Sequence, residues 1–367
     1  ATGNESMKTY QSTWITDANI NGRYRGEQYD TKVFFSGSLW HDFDNNIDKP
    51  TRLSRAYIDV FDKNGGQQLK AGRQNTQGEG VLGRFDGVRY SKSLGNEWRV
   101  NALAGYPVAT SRQVNIDSEH QLFGTSLDYE PGSSAWKSNL FFTQQTYNGM
   151  TDRQATGAEV TYMTTTQSWL GYIDYDVFFN ELNTFMINAN WFGKNDAYYY
   201  LSADYRRSPV LTLDNALIGQ GVQDLNALVE SGGFTEKTLE EVALDRTAVS
   251  TTLSGGLNRR WSEHFRWAVD VSGWQLSDTN TSAGVEGFAG TDVETNISLQ
   301  LISNDLWRPR DMGWYTLRYA SLTNSVLYSL TAEVRFPLAI GDNDHWRLRP
   351  RLRVYERDFT IGSGKQT

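Results

Sequence analysis

Trp346-Arg347-Leu348-Arg349-Pro350-Arg351-Leu352-Arg353-Val354-Tyr355 places an arginine at every second position from 347 to 353 and sets Trp346, Leu348, Leu352 and Val354 between them. Successive side chains of a β-strand point to opposite faces. Read as a strand, the stretch has one guanidinium face and one apolar face. On a membrane barrel an arginine facing lipid costs about 2–4 kcal/mol near the bilayer midplane. The arginine face must therefore meet water, and the apolar face is the one that can meet acyl chains. Pro350 stands in the apolar register without an N–H to donate, which predicts a bulge or a break in the ladder there.

The same alternation runs from one end of the chain to the other. Trp14, Ala18, Ile20 and Tyr24 oppose Asp17, Asn19, Asn21 and Arg23; Trp98, Val100, Ala102, Ala104 and Tyr106 oppose Arg99 and Asn101. Ile173, Tyr175, Val177 and Phe179 oppose Asp174 and Asp176; Tyr199, Leu201, Ala203 and Tyr205 oppose Ser202, Asp204 and Arg206; Phe265, Trp267, Val269 and Val271 oppose Arg266, Asp270 and Ser272. Leu103 and Phe178 are exceptions on the polar side. A soluble sandwich alternates as well, but these segments are longer than ordinary strands and the polar face favours Arg, Asp, Asn, Ser and Thr.

Turn signals such as Lys63-Asn64-Gly65-Gly66, Leu94-Gly95-Asn96 and Gly132-Ser133-Ser134 divide the chain into roughly 16 to 18 strands. The spans read 8-25, 31-42, 51-62, 67-76, 84-93, 97-107, 119-130, 135-147, 153-164, 167-180, 183-192, 196-207, 247-260, 264-277, 292-303, 312-322, 324-337 and 345-359. The predicted fold is all-β: a transmembrane antiparallel up-and-down β-barrel with one helical insertion, residues 1-367 forming a single domain. A barrel of that strand number is wide enough for an aqueous lumen.

Composition points the same way. The 367 residues include 12 Trp, 19 Tyr and 17 Phe, yet only 38% are hydrophobic and the mean hydropathy is -0.56. A soluble core with that many rings would carry more aliphatics, whereas a barrel needs apolar side chains on one face only and gathers rings at both membrane interfaces. With no cysteine, disulfides and thiolate metal sites are excluded. No run of about 18 apolar residues is present, so a membrane helix is excluded. The net charge of -8 disfavours nucleic acid as a partner.

Residues 208-246 break the alternation. Ile218, Val222, Leu225, Leu228 and Val229 recur at helical spacing and end at Ser231-Gly232-Gly233. In the stretch from Phe234 to Leu244, Thr238 followed by Glu241 matches a capping box, with Glu240 as an acidic first turn. Two readings stand for this insertion. As a plug or gate it folds into the lumen and presents Glu236, Glu240, Glu241 and Asp245 to a passing solute; as a rim helix it packs its leucines on the barrel edge. A chain that starts in the periplasm, with an even number of strands before the insertion, would place it on the periplasmic rim.

The predicted solute path is the arginine row Arg347, Arg349, Arg351 and Arg353, together with Arg335, Arg318, Arg266, Arg206, Arg89, Asp174, Asp176 and Asp204. Arg23, Arg55, Asp59, Asp270 and Glu333 share the inward register. Mixed charges of this kind can simply pair across the wall. The row from 347 to 353 has no carboxylates interleaved and suits an anionic or polyhydroxylated solute. His41, His120, His264 and His345 are scattered at strand ends, and no nucleophile elbow, P-loop or zinc-protease motif occurs, so no enzyme and no cofactor is predicted. Asp42, Asp44, Asn45, Asn46 and Asp48, and Asp342, Asn343 and Asp344, form acidic loop clusters that read as solvated turns before they read as Ca²⁺ sites.

Leu69-Lys70-Ala71-Gly72-Arg73-Gln74, followed by Gly80-Val81-Leu82-Gly83-Arg84-Phe85-Asp86-Gly87, resembles the paired strands of Gram-negative porin-like barrels. Long alternating strands with an acidic helical insertion also resemble the C-terminal barrels of exopolysaccharide exporters. That resemblance implies a bacterial outer-membrane location, with lipid and lipopolysaccharide around the barrel and a polymer, or else a small polar solute, inside it. It further implies a periplasmic helical-repeat domain or an inner-membrane synthase complex as partner. Polysaccharide export is the leading expectation. A diffusion porin for anionic or polar solutes, and the barrel of a protein-secretion system, are the alternatives. Ala1-Thr2-Gly3-Asn4-Glu5-Ser6 predicts a removed signal peptide or a missing upstream domain. Gly362-Ser363-Gly364-Lys365-Gln366-Thr367 is loop-like where such barrels end on an aromatic, which predicts further strands beyond it.

Overall fold

Long alternating segments separated by turn residues have one economical arrangement, in which each strand pairs with the next in sequence. The structure, a computed structural model, describes residues 13–43, 51–76, 79–81, 83–222, 224–232, 234–340 and 343–359. The chain divides into two compact units, residues 1–158 and 159–367.

The first unit holds β1 (Thr13–Arg25), β2 (Tyr29–Asp42), β3 (Thr51–Asp62), β4 (Gln67–Asn75), β5 (Arg84–Leu94), β6 (Trp98–Val108), β7 (His120–Tyr129) and β8 (Trp136–Tyr147). Each is antiparallel to its successor from β1 to β8. β9 (Met150–Met163) turns back at Asn148-Gly149, both at positive φ, and Thr156 Oγ1 donates to the Phe141 carbonyl. β9 crosses from the first unit into the second.

The second unit continues with β10 (Gln167–Asp176), β11 (Glu181–Phe192), β12 (Tyr198–Ser208), β13 (Ala248–Arg260), β14 (Phe265–Leu276), β15 (Glu294–Asn304), β16 (Met312–Leu322), β17 (Ser325–Ile340), β18 (Asn343–Leu348) and β19 (Arg351–Phe359). β10 to β17 again pair antiparallel with their sequence neighbours. β18 and β19 both lie antiparallel along β17, one on Phe336–Ile340 and the other on Ser325–Glu333. They are one strand interrupted at Arg349-Pro350, where Pro350 accepts a single backbone bond from the Val334 N–H. The predicted break is there, and the predicted span 345-359 becomes two strands.

The all-β antiparallel meander with a helical insertion is thus the observed fold, and most strand limits agree within two or three residues. One stretch departs. Residues 177–180, read as the end of a strand, form a turn. Asp176 Oδ1 accepts from the Phe178 and Phe179 N–H groups at 2.9 and 3.0 Å, and Asn180 takes φ +56°. Phe179 is consequently buried instead of facing outward.

The insertion also differs in detail. Its helices are a short 3-10 turn, Leu213–Leu217, then α1 (Leu225–Gly232) and α2 (Glu236–Asp245). Ile218 and Val222 are not helical, because Gly219 and Gly221 take φ of +79° and +75° and break the run before Leu225. The capping box lies one turn earlier than read. Thr235 is the N-cap, its side chain accepts from the Thr238 N–H, and Thr238 Oγ1 takes the Thr235 N–H at 2.7 Å. Glu236, not Glu240, is the acid of the first turn.

In both units the connections at one edge of the sheet are short. In the first they are residues 26–28, 63–66, 95–97 and 130–135; in the second, 164–166, 193–197, 261–264 and 305–311. At the other edge the longer segments appear: 43–50, 76–83 and 109–119 in the first unit, 209–247 and 277–293 in the second.

Candidate functional site

Cross-strand partners share a face, so the register turns the alternation into rows. In the second unit one row passes through Trp191, Tyr199, Leu257, Val269, Leu299, Leu317, Leu330 and Val354, each the partner of the next. One residue further along, on the opposite face, runs Tyr198, Asn258, Ala268, Gln300, Thr316, Thr331 and Arg353. In the first unit Val33, Ile58, Ala71, Val88, Ala104 and Phe123 form the apolar row, and Lys32, Asp59, Lys70, Arg89 and Leu103 form its counterpart on the other face.

Burial inverts the order of a soluble protein. Leu299, Leu317 and Leu330 are 45%, 53% and 43% exposed, while Thr143, Arg153, Asp174 and Asp176 are fully buried. An exposed apolar face backed by a face that buries polar and charged side chains is the reverse of the order in a soluble protein. Rings cluster at the short-turn edge: Trp98 packs on Tyr129 in the first unit, and Trp169 on Trp191 and Phe192 on Tyr198 in the second. That is the position of an interfacial aromatic belt.

On the polar face of the first unit, the connection between β4 and β5 folds onto the wall. Glu79, 4% exposed, accepts from Arg89 Nε at 2.9 Å on both carboxylate oxygens and also from Nη2. Arg89 Nη2 donates further to Asn101 Oδ1 at 3.0 Å, and Asn101 Nδ2 donates to Ser126 Oγ and Asp128 Oδ2. Arg153 Nη1 donates to the Gly80 carbonyl at 3.1 Å and Thr143 Oγ1 at 3.2 Å. Gly80 has φ +69°, and a Cβ there would stand 2.3 Å from the Phe141 ring, so both backbone and contact require glycine. Val81 packs on Phe85, Leu103 and Leu122. Leu103, the apolar exception in the alternation, is therefore the bed of an inward-folded loop. The sequence reading assigned Arg89 to the solute path and did not find this loop. Its signal was present in the second apolar residue on the polar register, Phe85, which lies just after it.

Arg351 and Arg353 of the predicted row share one face of the sheet. Arg351 and Arg353 are the partners of Glu333 and Thr331, on the face opposite Leu330, Leu352 and Val354. Arg347 is the partner of Pro337. Arg349 Nε donates to Glu333 Oε1, and its guanidinium lies 5.7 Å from the Trp314 ring centroid. Arg351 Nε is 3.8 Å from Glu333 Oε2. One carboxylate, 13% exposed, thus stands between two arginines that are 60% and 64% exposed. Arg335 reaches the same Trp314 ring at 5.7 Å, and Arg318 Nε donates to Asn296 Oδ1 at 2.6 Å.

The remaining predicted path residues are local pairs elsewhere on the second unit. Arg206 Nε donates to Asp204 Oδ1 at 2.6 Å. Arg266 lies 3.5 Å from Asp196, which also pairs with Arg260 in the turn before β12. Asp174 sits at a bulge in the β10–β11 ladder, where Tyr172 Oη donates to it at 3.2 Å, and Asp176 caps the turn described above. These two aspartates are structural and lie apart from the arginine row.

The insertion forms a small apolar core of its own. Leu211, Leu213, Ala216, Leu225, Leu228, Leu239, Val242 and Ala243 are buried. It docks on the 277–293 connection. Arg246, 6% exposed, donates to the Val285 carbonyl at 3.1 Å and to the Ser282 carbonyl, and Asn280 Nδ2 donates to Asp245 Oδ1 at 2.8 Å. Asp245 is therefore spent on holding the connection. Glu236 and Glu241 are exposed, and Glu240 is half-buried.

His41 and His120 occupy strand ends, His264 a turn and His345 a place in β18. Among the described residues no cluster of three His, Asp or Glu could hold a metal. Asp44, Asn45, Asn46, Asp48 and Asp342 lie outside the described residues, as do the side chains of Asp42, Asn343 and Asp344. So do residues 1–12 and 360–367, where the two terminal readings fall.

No family model matches the sequence, and no curated protein matches it. The fold is similar to three solved structures. An anion-selective porin from Comamonas acidovorans is 10% identical with a TM-score of 0.41, over 83% of this chain and 88% of that one. Wzi, a carbohydrate-binding outer-membrane β-barrel involved in group 1 capsule assembly in Escherichia coli, is 12% identical with a TM-score of 0.42, over 86% and 80%. OccK2 of Pseudomonas aeruginosa in complex with glucuronate is 11% identical with a TM-score of 0.32, over 96% and 88%. At these values the likenesses add nothing to the argument about function.

Proposed function

We propose that the chain is a β-barrel of a bacterial outer membrane and a channel for anionic and hydroxyl-rich solutes. The observation that carries this reading is the inverted burial, with aliphatic rows exposed along one face and charges sheltered on the other. Outer-membrane barrels carry short periplasmic turns and longer extracellular loops. On that rule the 209–247 insertion, latched to 277–293, covers the outer mouth as a rim cap.

Electrostatics favour anions. Arg349 and Arg351 share one carboxylate neighbour, Glu333, and Arg347 and Arg353 lie in the same row, so this wall keeps a surplus of positive charge. Planar-bilayer measurement of reversal potential in a salt gradient tests it. The wild-type channel should prefer chloride over potassium, and Arg351→Gln with Arg353→Gln should reduce that preference. A cation-selective wild type would refute the reading.

Export of an acidic polysaccharide is the second reading, favoured by the spacing of the row. Successive inward positions on a strand are roughly 6.6–6.8 Å apart, so four of them make a ladder suited to repeated charges on one extended chain. An exporter of this kind would work with an inner-membrane synthase and a periplasmic helical-repeat domain.

A further inference from the structure

We infer that the polar face of the first unit carries a separate binding site for a carboxylate-bearing sugar ring, formed by Arg55 and Lys70 on an aromatic platform. The inference rests on that face being open to water, as the channel reading has it. Phe34 and Tyr57 are cross-strand partners on β2 and β3, with ring centroids 5.5 Å apart and planes within 15°. The Arg55 guanidinium lies 4.5 Å over Phe34, and Lys70 Nζ lies 4.1 Å over Tyr57. The two rings hold the two cations in place, Lys70 half-buried and Arg55 exposed.

Among the described residues no carboxylate comes within 4.0 Å of Arg55 or Lys70, and the two nearby acids are engaged elsewhere. Asp59 accepts from Gln68 Nε2 at 2.7 Å, and Glu79 is held by Arg89. On a wall whose other arginines mostly meet a carboxylate or an amide, two fixed charges that make no ion pair among the described residues form an anion receptor.

The recess they face has a volume of about 360 Å³ and is lined by Arg55, Tyr57, Lys70, Asn75, Thr76 and Arg89. That is at the small end of ligand sites, fit for one small molecule or one unit of a polymer. Thr76 Oγ1 is buried there without a hydrogen-bond partner, and Asn75 adds a neutral amide. Cations for a carboxylate, and neutral donors and acceptors for hydroxyls, describe a sugar acid better than a bare inorganic anion.

Isothermal titration of the full chain in detergent tests this with sodium galacturonate, galactose, phosphate and a galacturonate hexamer. Galacturonate should bind at least tenfold more tightly than galactose and displace phosphate. Arg55→Gln and Lys70→Gln should each weaken it by about tenfold, the loss expected for one charge-assisted contact. Arg55→Lys, which keeps the charge, should stay within a few-fold of wild type and separates lost charge from lost fold. A hexamer that binds more tightly than the monomer identifies polymer as the source of the carboxylate; equal affinity identifies the free sugar acid. Equal binding of galactose and galacturonate, phosphate binding as tight as galacturonate, or wild-type affinity in both Gln variants overturns the inference. Planar-bilayer conductance on the same preparations keeps the two readings distinct. Binding without conductance would sink the channel and keep the site, and conductance without binding would sink the site and keep the channel.

Discussion

Glu79→Gln removes the carboxylate that seats the inward loop, and the structure sets the size of the effect. Glu79 accepts three contacts from Arg89, and its removal leaves that guanidinium, 17% exposed, with Asn101 Oδ1 as its remaining acceptor among the described residues. Hydrogen bonds to charged groups contribute about 1.5–3 kcal/mol, and water in the lumen recovers part of that for Arg89. A net loss of roughly 2 kcal/mol corresponds to about a 30-fold shift between the seated and unseated loop. Two anchors survive, the Arg153 bond to the Gly80 carbonyl and the Val81 contact, so the loop should flicker instead of leaving the wall. Single-channel recording is the assay. The variant should show many more excursions to a higher conductance level, while the barrel still resists denaturation by detergent. Adding Arg89→Gln should recover part of the loss, because the unpaired charge is gone. A Glu79→Gln channel with wild-type conductance and noise would show that this loop does not narrow the path.

Three further predictions concern separate places. Arg246→Ala should free the 277–293 connection from α2, raising hydrogen exchange and trypsin cleavage there while the strands stay protected. Asp311 lies in the 305–311 connection; burial opposes its ionisation, but the Leu306, Trp307 and Arg308 N–H groups at 2.8–2.9 Å outweigh that and hold its pKa below the ordinary value. A depressed folded-state value means the contribution is full above the usual aspartate range and is lost as pH falls through the folded value, so exchange at 306–308 should accelerate only in that acid window and at all pH values in Asp311→Ala. Leu317→Arg should destabilise the chain in lipid vesicles by about 2–4 kcal/mol, whereas Thr316→Arg on the opposite face should cost far less; equal costs would contradict the assigned faces.

Strands were legible in this sequence because one face of the sheet is aliphatic and aromatic and the other polar, which imposes a period of two on them. Pro350 could be read as a break because its missing N–H has only one consequence in a ladder. The loop at 79–81 was not legible, since its position depends on Arg89, Arg153 and the Phe85-Leu103-Leu122 cluster, which converge only after five strands have paired. Leu103 on the polar register was the clue, as an apolar side chain facing a wet interior requires a cover. The capping box was misplaced because Thr238-x-x-Glu241 fits the usual Ser/Thr-x-x-Glu pattern, whereas the box that forms pairs Thr235 with Thr238, a threonine where the pattern expects Glu or Gln. The charged residues divided for a similar reason. A register assigns a face, but only the fold reveals which arginines, such as Arg206 and Arg89, already hold a carboxylate.

The absence of native cysteine permits the most direct test of sidedness. Single cysteines at 316 and 317 would be spin-labelled, and the chain refolded into vesicles. Relaxation would then be compared between dissolved oxygen, which partitions into lipid, and a water-soluble nickel chelate. The label at 317 should respond to oxygen and the label at 316 to nickel, with the preference reversing again at 315 and 318. Labels at 316 and 317 that both respond to nickel, or a preference that fails to alternate, would contradict a wall with lipid on one face and water on the other.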